Sequence, residues 1–133
     1  MDKPQDSFRT VVVCDDIRDE IGNKKSLMGV FSGDIIVAEF PAYIQIAIYL
    51  EVLVSEDDKP TDIELSMKID DSHIFGAKVT VSKQSSPWAS IMLPKGVITF
   101  EKESSLSLTG KIITENEIEL FRKKIIRGAI QPR

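Results

Sequence analysis

From Ile44 to Val54 every second residue is apolar: Ile44, Ile46, Ile48, Leu50, Val52 and Val54 share one parity, and Gln45, Ala47, Tyr49 and Glu51 hold the other. A period of two is that of a pleated strand with one face buried; a helix would scatter the same residues around its axis. The polar stretch Ser55–Thr61 carries Pro60 and reads as a turn. Ile63, Leu65, Met67 and Ile69 then alternate with Glu64, Ser66, Lys68 and Asp70, which predicts a second strand returning antiparallel to the first as a long hairpin.

The same signal recurs on both sides. Arg9–Arg18 is rich in β-branched residues, Ser26–Phe31 follows a turn at Ile21–Lys24, and Asp34–Phe40 follows Gly33 and ends at Pro41. Ala77–Val81, Ile91–Leu93, Gly96–Phe100 and Leu106–Ile113 complete the series, with Lys83–Trp88 as a polar connection. Gly29 and Gly33 read as bulge or turn glycines. The C-terminal segment admits two readings. Thr114–Glu117 fits a helix capping box, with Ile118, Phe121 and Ile125 at helical spacing. The strand reading has Ile118 and Leu120 facing inward and a bulge near Phe121, and the all-β context favours it. The expected fold is an all-β sandwich of immunoglobulin-like or C2-like character, with about eight to nine mostly antiparallel strands.

Composition agrees with one domain. The 133 residues are 42% apolar and 29% charged, ordinary for a globular chain, with a net charge of −4. The sandwich is expected to span 1–133, with a disordered N-terminal stretch (about 1–7) and C-terminal tail (about 129–133). The start of the chain lacks the apolar core of a signal peptide, and no run is long enough for a spanning helix, so no membrane partner is expected. The single cysteine, Cys14, cannot make an internal disulfide, which points to a reduced, cytoplasmic setting.

The densest polar cluster is Cys14–Glu20. Asp15 and Asp16 are adjacent, so in a regular strand they point to opposite faces and cannot converge on one cation. One of them is expected to be partly buried and to require a partner, with Arg18, Lys24 or Lys25 as candidates. Cys14, inside an apolar run, reads as a small hydrophobe. His73 is the only histidine, and Asp70–His73 reads as a solvated turn in preference to a metal site or half of a Cys/His pair. Phosphate loops, dinucleotide fingerprints, nucleophile elbows and zinc-protease motifs are all absent, and no cofactor is expected.

Charge is uneven. Glu51–Asp71 holds eight acids against two lysines, whereas Arg122–Arg133 holds five bases, Arg122, Lys123, Lys124, Arg127 and Arg133, and no acid. That run could meet phosphates, with Trp88 or Tyr49 stacking on bases, but aromatic residues are not interleaved with it, and a solvated or edge-protecting run is the plainer reading. Trp88 reads first as a plug at the end of the sandwich and second as a contact residue. Calcium binding at Glu56–Asp57–Asp58 would need more oxygens than that loop supplies.

Val13-Cys14-Asp15-Asp16-Ile17-Arg18, the lysine turn, Ser26–Phe31, Asp34–Val37 and Phe40-Pro41 together resemble a family of small bacterial or phage-borne proteins known as a domain of unknown function. The resemblance is clear over residues 13–41 and implies a small stand-alone β-domain, with no catalytic residue or ligand carried over. The function expected from these readings is a non-catalytic interaction or accessory module that offers a sheet face, edge or loop to a protein partner or to a second copy. A nucleic-acid accessory role through the basic C-terminal segment is the first alternative, and an enzyme site near Asp15, Asp16 and His73 the second.

Overall fold

The computed structural model describes residues 7–54, 59–82, 86–112 and 115–129. These form nine strands: β1 (Phe8–Glu20), β2 (Lys24–Val30), β3 (Ile35–Val37), β4 (Ala42–Leu53), β5 (Thr61–Ile69), β6 (Ser72–Val81), β7 (Trp88–Phe100), β8 (Ser104–Ile112) and β9 (Ile118–Arg127). They lie in two sheets, ordered β2-β1-β4-β7 and β3-β9-β8-β5-β6, and every pairing is antiparallel except β3 with β9. The described residues contain no helix, and hence none long and apolar enough to cross a membrane. Residues 1–6 and 130–133, expected as disordered ends, and the acidic loop Glu56–Asp58 lie outside the described residues, while Ser7 is buried.

Alternation dictates the core. Ile46, Ile48, Leu50 and Val52 of β4 face Ile63, Leu65 and Met67 of β5 and Leu106 and Leu108 of β8 in one continuous buried cluster. Phe100 and Ile125 are fully buried within it. The C-terminal segment is a strand: Leu108 pairs with Phe121 and Thr109 with Glu119, which leaves Leu120 as the extra residue of a bulge. The capping-box helix does not form, because β8 and β3 supply the backbone partners that a helix would have found within itself.

Two expectations are corrected. Tyr43–Val54 and Ile63–Ile69 are not a hairpin: β4 pairs with β1 and β7, whereas β5 pairs with β6 and β8 in the other sheet. Both strands have an apolar inner face, and each satisfies it by packing across the interior on the other sheet, so the chain between them changes layers. Ile91–Leu93 and Gly96–Phe100 are one strand, kinked where Ile46 pairs with Gly96 but Ile48 with Leu93, so that Pro94 and Lys95 bulge out together. The true neighbour of β5 is β6, joined to it by a tight turn at Asp70–Asp71. Asp70 takes a left-handed φ of 52° there, and its Oδ1 accepts a hydrogen bond from Ser105 N at 3.0 Å.

Candidate functional site

The two sheets leave one side of the interior open, between the edge strands β6 and β7. An apolar groove of about 470 Å³ runs there, lined by Met67, Ile69, Ile74, Phe75, Val97 and Ile98 among others. Ile74, Phe75 and Val97 are all exposed, Val97 to 65%. Of the four edges, three are blunted. β3 has three residues, β7 carries the Pro94–Lys95 bulge, and β2 carries Lys24, Lys25 and a left-handed Gly29 with φ 68°. The fourth, β6, has a bulge at Ile74 and is regular from Phe75 to Val81, with Lys78 as its only charge there and no proline.

A second concavity lies on the outer face of the β2-β1-β4-β7 sheet. Pairing of β1 with β4 ends at Cys14 and Ala47; beyond Cys14, β2 is the only partner of β1. The β1–β2 hairpin folds back over the sheet, and its tip shares a cleft of about 520 Å³ with Tyr49, Glu51, Trp88 and Ser90. The fold-back explains why Cys14 and Ala47, on the outward parity of their strands, are buried. Gln45 Nε2 donates to the Asp15 carbonyl at 2.9 Å at the root of the hairpin, and Lys25 pairs with Asp19 near its tip.

The residues singled out from the sequence distribute as follows. Asp16 is the half-buried member of its pair and Asp15 the exposed one. Asp16 Oδ2 lies 3.8 Å from both Arg18 Nε and Lys95 Nζ, and its Oδ1 accepts from Ile17 N at 2.9 Å. Arg18 is thus the expected partner; Lys95 is an added one, brought in by the β7 bulge. Lys24 is not among the partners of either aspartate, and Lys25 serves Asp19. Asp15 and Asp16 stand on β1 and His73 on β6, in different sheets, and none of the three lines either concavity. No group of three His, Cys, Asp or Glu side chains among the described residues could hold a metal ion.

Trp88 corrects the first reading made of it. It is half-buried at the start of β7, outside the core cluster, and the Arg9 guanidinium lies 4.0 Å from its ring centroid. The basic run is divided by the alternation of β9. Arg122 is held by Glu119 at 2.7 Å, and Lys123 Nζ donates to the Gly33 carbonyl at 3.0 Å. The backbone N–H groups of Lys124 and Arg127 donate to Asp34 and Glu103, which places acids beside the bases. Glu51, Ile74 and Val97 carry no signal in the sequence: each is an ordinary strand residue that only the pairing order makes part of a cleft or groove, and the same order sets Arg9 beside Glu51 and Trp88.

Cys14 is completely buried, and burial first, then the Asp15 and Asp16 charges, push its thiol pKa above the ordinary value, partly offset by a hydrogen bond to the Asp16 carbonyl. Native protein is therefore expected to react with a thiol reagent at neutral pH only as fast as it opens, with full labelling in denaturant; mass spectrometry of timed aliquots checks this. The chain matches no protein-family model and no curated protein sequence.

Proposed function

We propose that the protein is a non-catalytic protein-interaction module that receives an extended, apolar segment of a partner protein along the free edge of β6. The observation that carries this reading is the conjunction of an edge that is regular from Phe75 to Val81 with an adjoining apolar groove. Among the described residues no strand pairs with the outer side of β6, which leaves its backbone donors and acceptors open to an added strand, and the groove takes alternate side chains of that strand. The groove is mainly hydrocarbon and lined by no charged side chain, which fits a partner's Val, Ile, Leu or Phe side chains better than a phosphate backbone. The free, buried cysteine supports placing the module in a reduced, cytoplasmic compartment.

The test is selection from a displayed library of linear peptides, followed by affinity measurement on the purified protein and on Ile74→Lys and Val97→Lys. Both substituted side chains are exposed, so melting temperatures should hold. Selected peptides should show apolar residues at alternate positions, and either variant should weaken them by about tenfold or more. Failure to enrich any peptide, or peptides indifferent to both variants, would remove this reading.

A further inference from the structure

β6 itself has the character of the segment that its edge receives. From Phe75 to Val81 it runs without interruption and without proline. Phe75, Ala77, Val79 and Val81 take the face toward the interior, because they pair with Met67, Leu65, Ile63 and Thr61 of β5, and Gly76, Lys78 and Thr80 take the outer face. Lys78 is the only charge in this stretch, and Glu64 of the same chain lies 3.6 Å from it. A second copy of β6 therefore brings apolar side chains at alternate positions and no uncompensated charge to the edge.

Antiparallel pairing of β6 with its own copy is isologous, and the side chains select its register. Centred on Lys78, it would set the two ammonium groups directly opposite each other; centred on Val79, it would leave Phe75 without an apolar neighbour. Centred on Ala77, it puts Phe75 against the second copy's Val79 and Lys78 against its Gly76, with the two Ala77 residues facing each other on the axis. Phe75 is 42% exposed and lies outside the core cluster, so this register covers a ring that the single chain leaves in water. The two-fold axis of such a pair stands perpendicular to the sheet, so both inner faces lie on one side and the two apolar grooves open into each other. Among the described residues each chain has one edge of this kind, since β2, β3 and β7 are blunted, and association closes at two copies.

We propose that the chain forms a two-fold dimer in which the β6 edges of two copies pair antiparallel about Ala77. This rests on the reading of β6 as a receiving edge and names a second copy as the occupant that holds the edge until a partner's segment displaces it. The experiment is sedimentation equilibrium of the full chain, free of peptide, from about 5 to 500 µM, with diamide cross-linking of Ala77→Cys and Lys78→Cys. Residues directly opposite in an antiparallel ladder have Cα atoms about 4.5–5.5 Å apart, within reach of a disulfide, and only a residue on the axis faces itself. A monomer–dimer equilibrium is expected. Ala77→Cys should give a covalent dimer at least about tenfold faster than Lys78→Cys, and the native chain none, because its one cysteine, Cys14, is completely buried. Phe75→Lys should weaken the dimer about tenfold or more without changing the melting temperature of dilute protein. A monomer throughout the range, species larger than a dimer, equal cross-linking of the two cysteine variants, or a Phe75→Lys dimer as tight as the native one would each overturn the proposal. Failure here is distinguishable from failure of the partner-segment reading. A chain that enriches peptides but sediments only as a monomer loses the dimer and keeps that reading, whereas a dimer that enriches no peptide keeps the dimer alone.

Discussion

Replacing Phe100 with alanine is expected to destabilise the fold by about 3–5 kcal/mol, the cost of removing a large, tightly packed aromatic ring. Phe100 is 1% exposed and is the largest of the fully buried side chains. It ends β7 opposite Ala42, so its ring fills the interior where that sheet contributes only a methyl group from the neighbouring strand. A cavity there has little means of collapse, because both strands are fixed by an uninterrupted ladder from Ala42 to Ile46. Urea unfolding at unchanged m-value measures the loss, and Val97→Ala on the same strand is the control. Val97 is exposed, and its truncation should stay within about 0.5 kcal/mol. Equal effects at the two positions would mean that the core is not where alternation places it.

Gly29→Ala is expected to cost about 2 kcal/mol, although the residue is exposed and contributes no side chain. Gly29 has a φ of 68°, a left-handed conformation that an L side chain adopts only with strain. A Cβ at this position would also run into the Asp15 carboxylate, 2.7 Å from Cγ and 3.1 Å from Cβ, so the carboxylate must rotate away and the two strands must part by a few tenths of an ångström. The two contributions are separable: Asp15→Ala in the Gly29→Ala background should recover the steric part and leave the backbone part. Because Gly29 and Asp15 sit at the root of the folded-back hairpin, the substitution should also change Trp88 emission through a displaced tip. Chemical denaturation of the four proteins of the cycle gives the energies. A cost below about 0.5 kcal/mol would show that the hairpin does not need this conformation.

Strand existence was the most legible property. The parity of Ile46 to Val54 reports which side chains are buried, and all five even positions from Ile46 onward are. The bulge read near Phe121 lies at Leu120, since an extra residue is the only way for a strand to change face without ending. Partner choice was not legible in this way. A strand with one apolar face is equally satisfied by a neighbour in its own sheet or by a layer across the core, so Ile63–Ile69 looked like the return of a hairpin and is the facing layer. Asp16 shows the same boundary on a smaller scale. The need for a cation came from its half-buried place in β1, and Arg18 was readable from proximity, but Lys95 arrives from a distant strand through the Pro94 bulge.

The amino-acid sequence by itself determined the all-β class, the inner face of each long strand and the turns at Gly22–Asn23 and Asp70–Asp71, whereas the C-terminal segment, open to helix or strand in the sequence, became a strand by pairing with β8 and β3. The class, faces and turns are local consequences of pleat geometry and of residues that tolerate a left-handed turn. Tertiary structure alone decided that β6 ends a sheet with no further strand paired to it among the described residues, that an apolar groove opens beside it, and that the β1–β2 hairpin folds over Tyr49 and Trp88. The physical reason is that edges and clefts are defined by which strands are not paired or not in contact. That property belongs to the arrangement of all nine strands and leaves no period, motif or composition in any one of them.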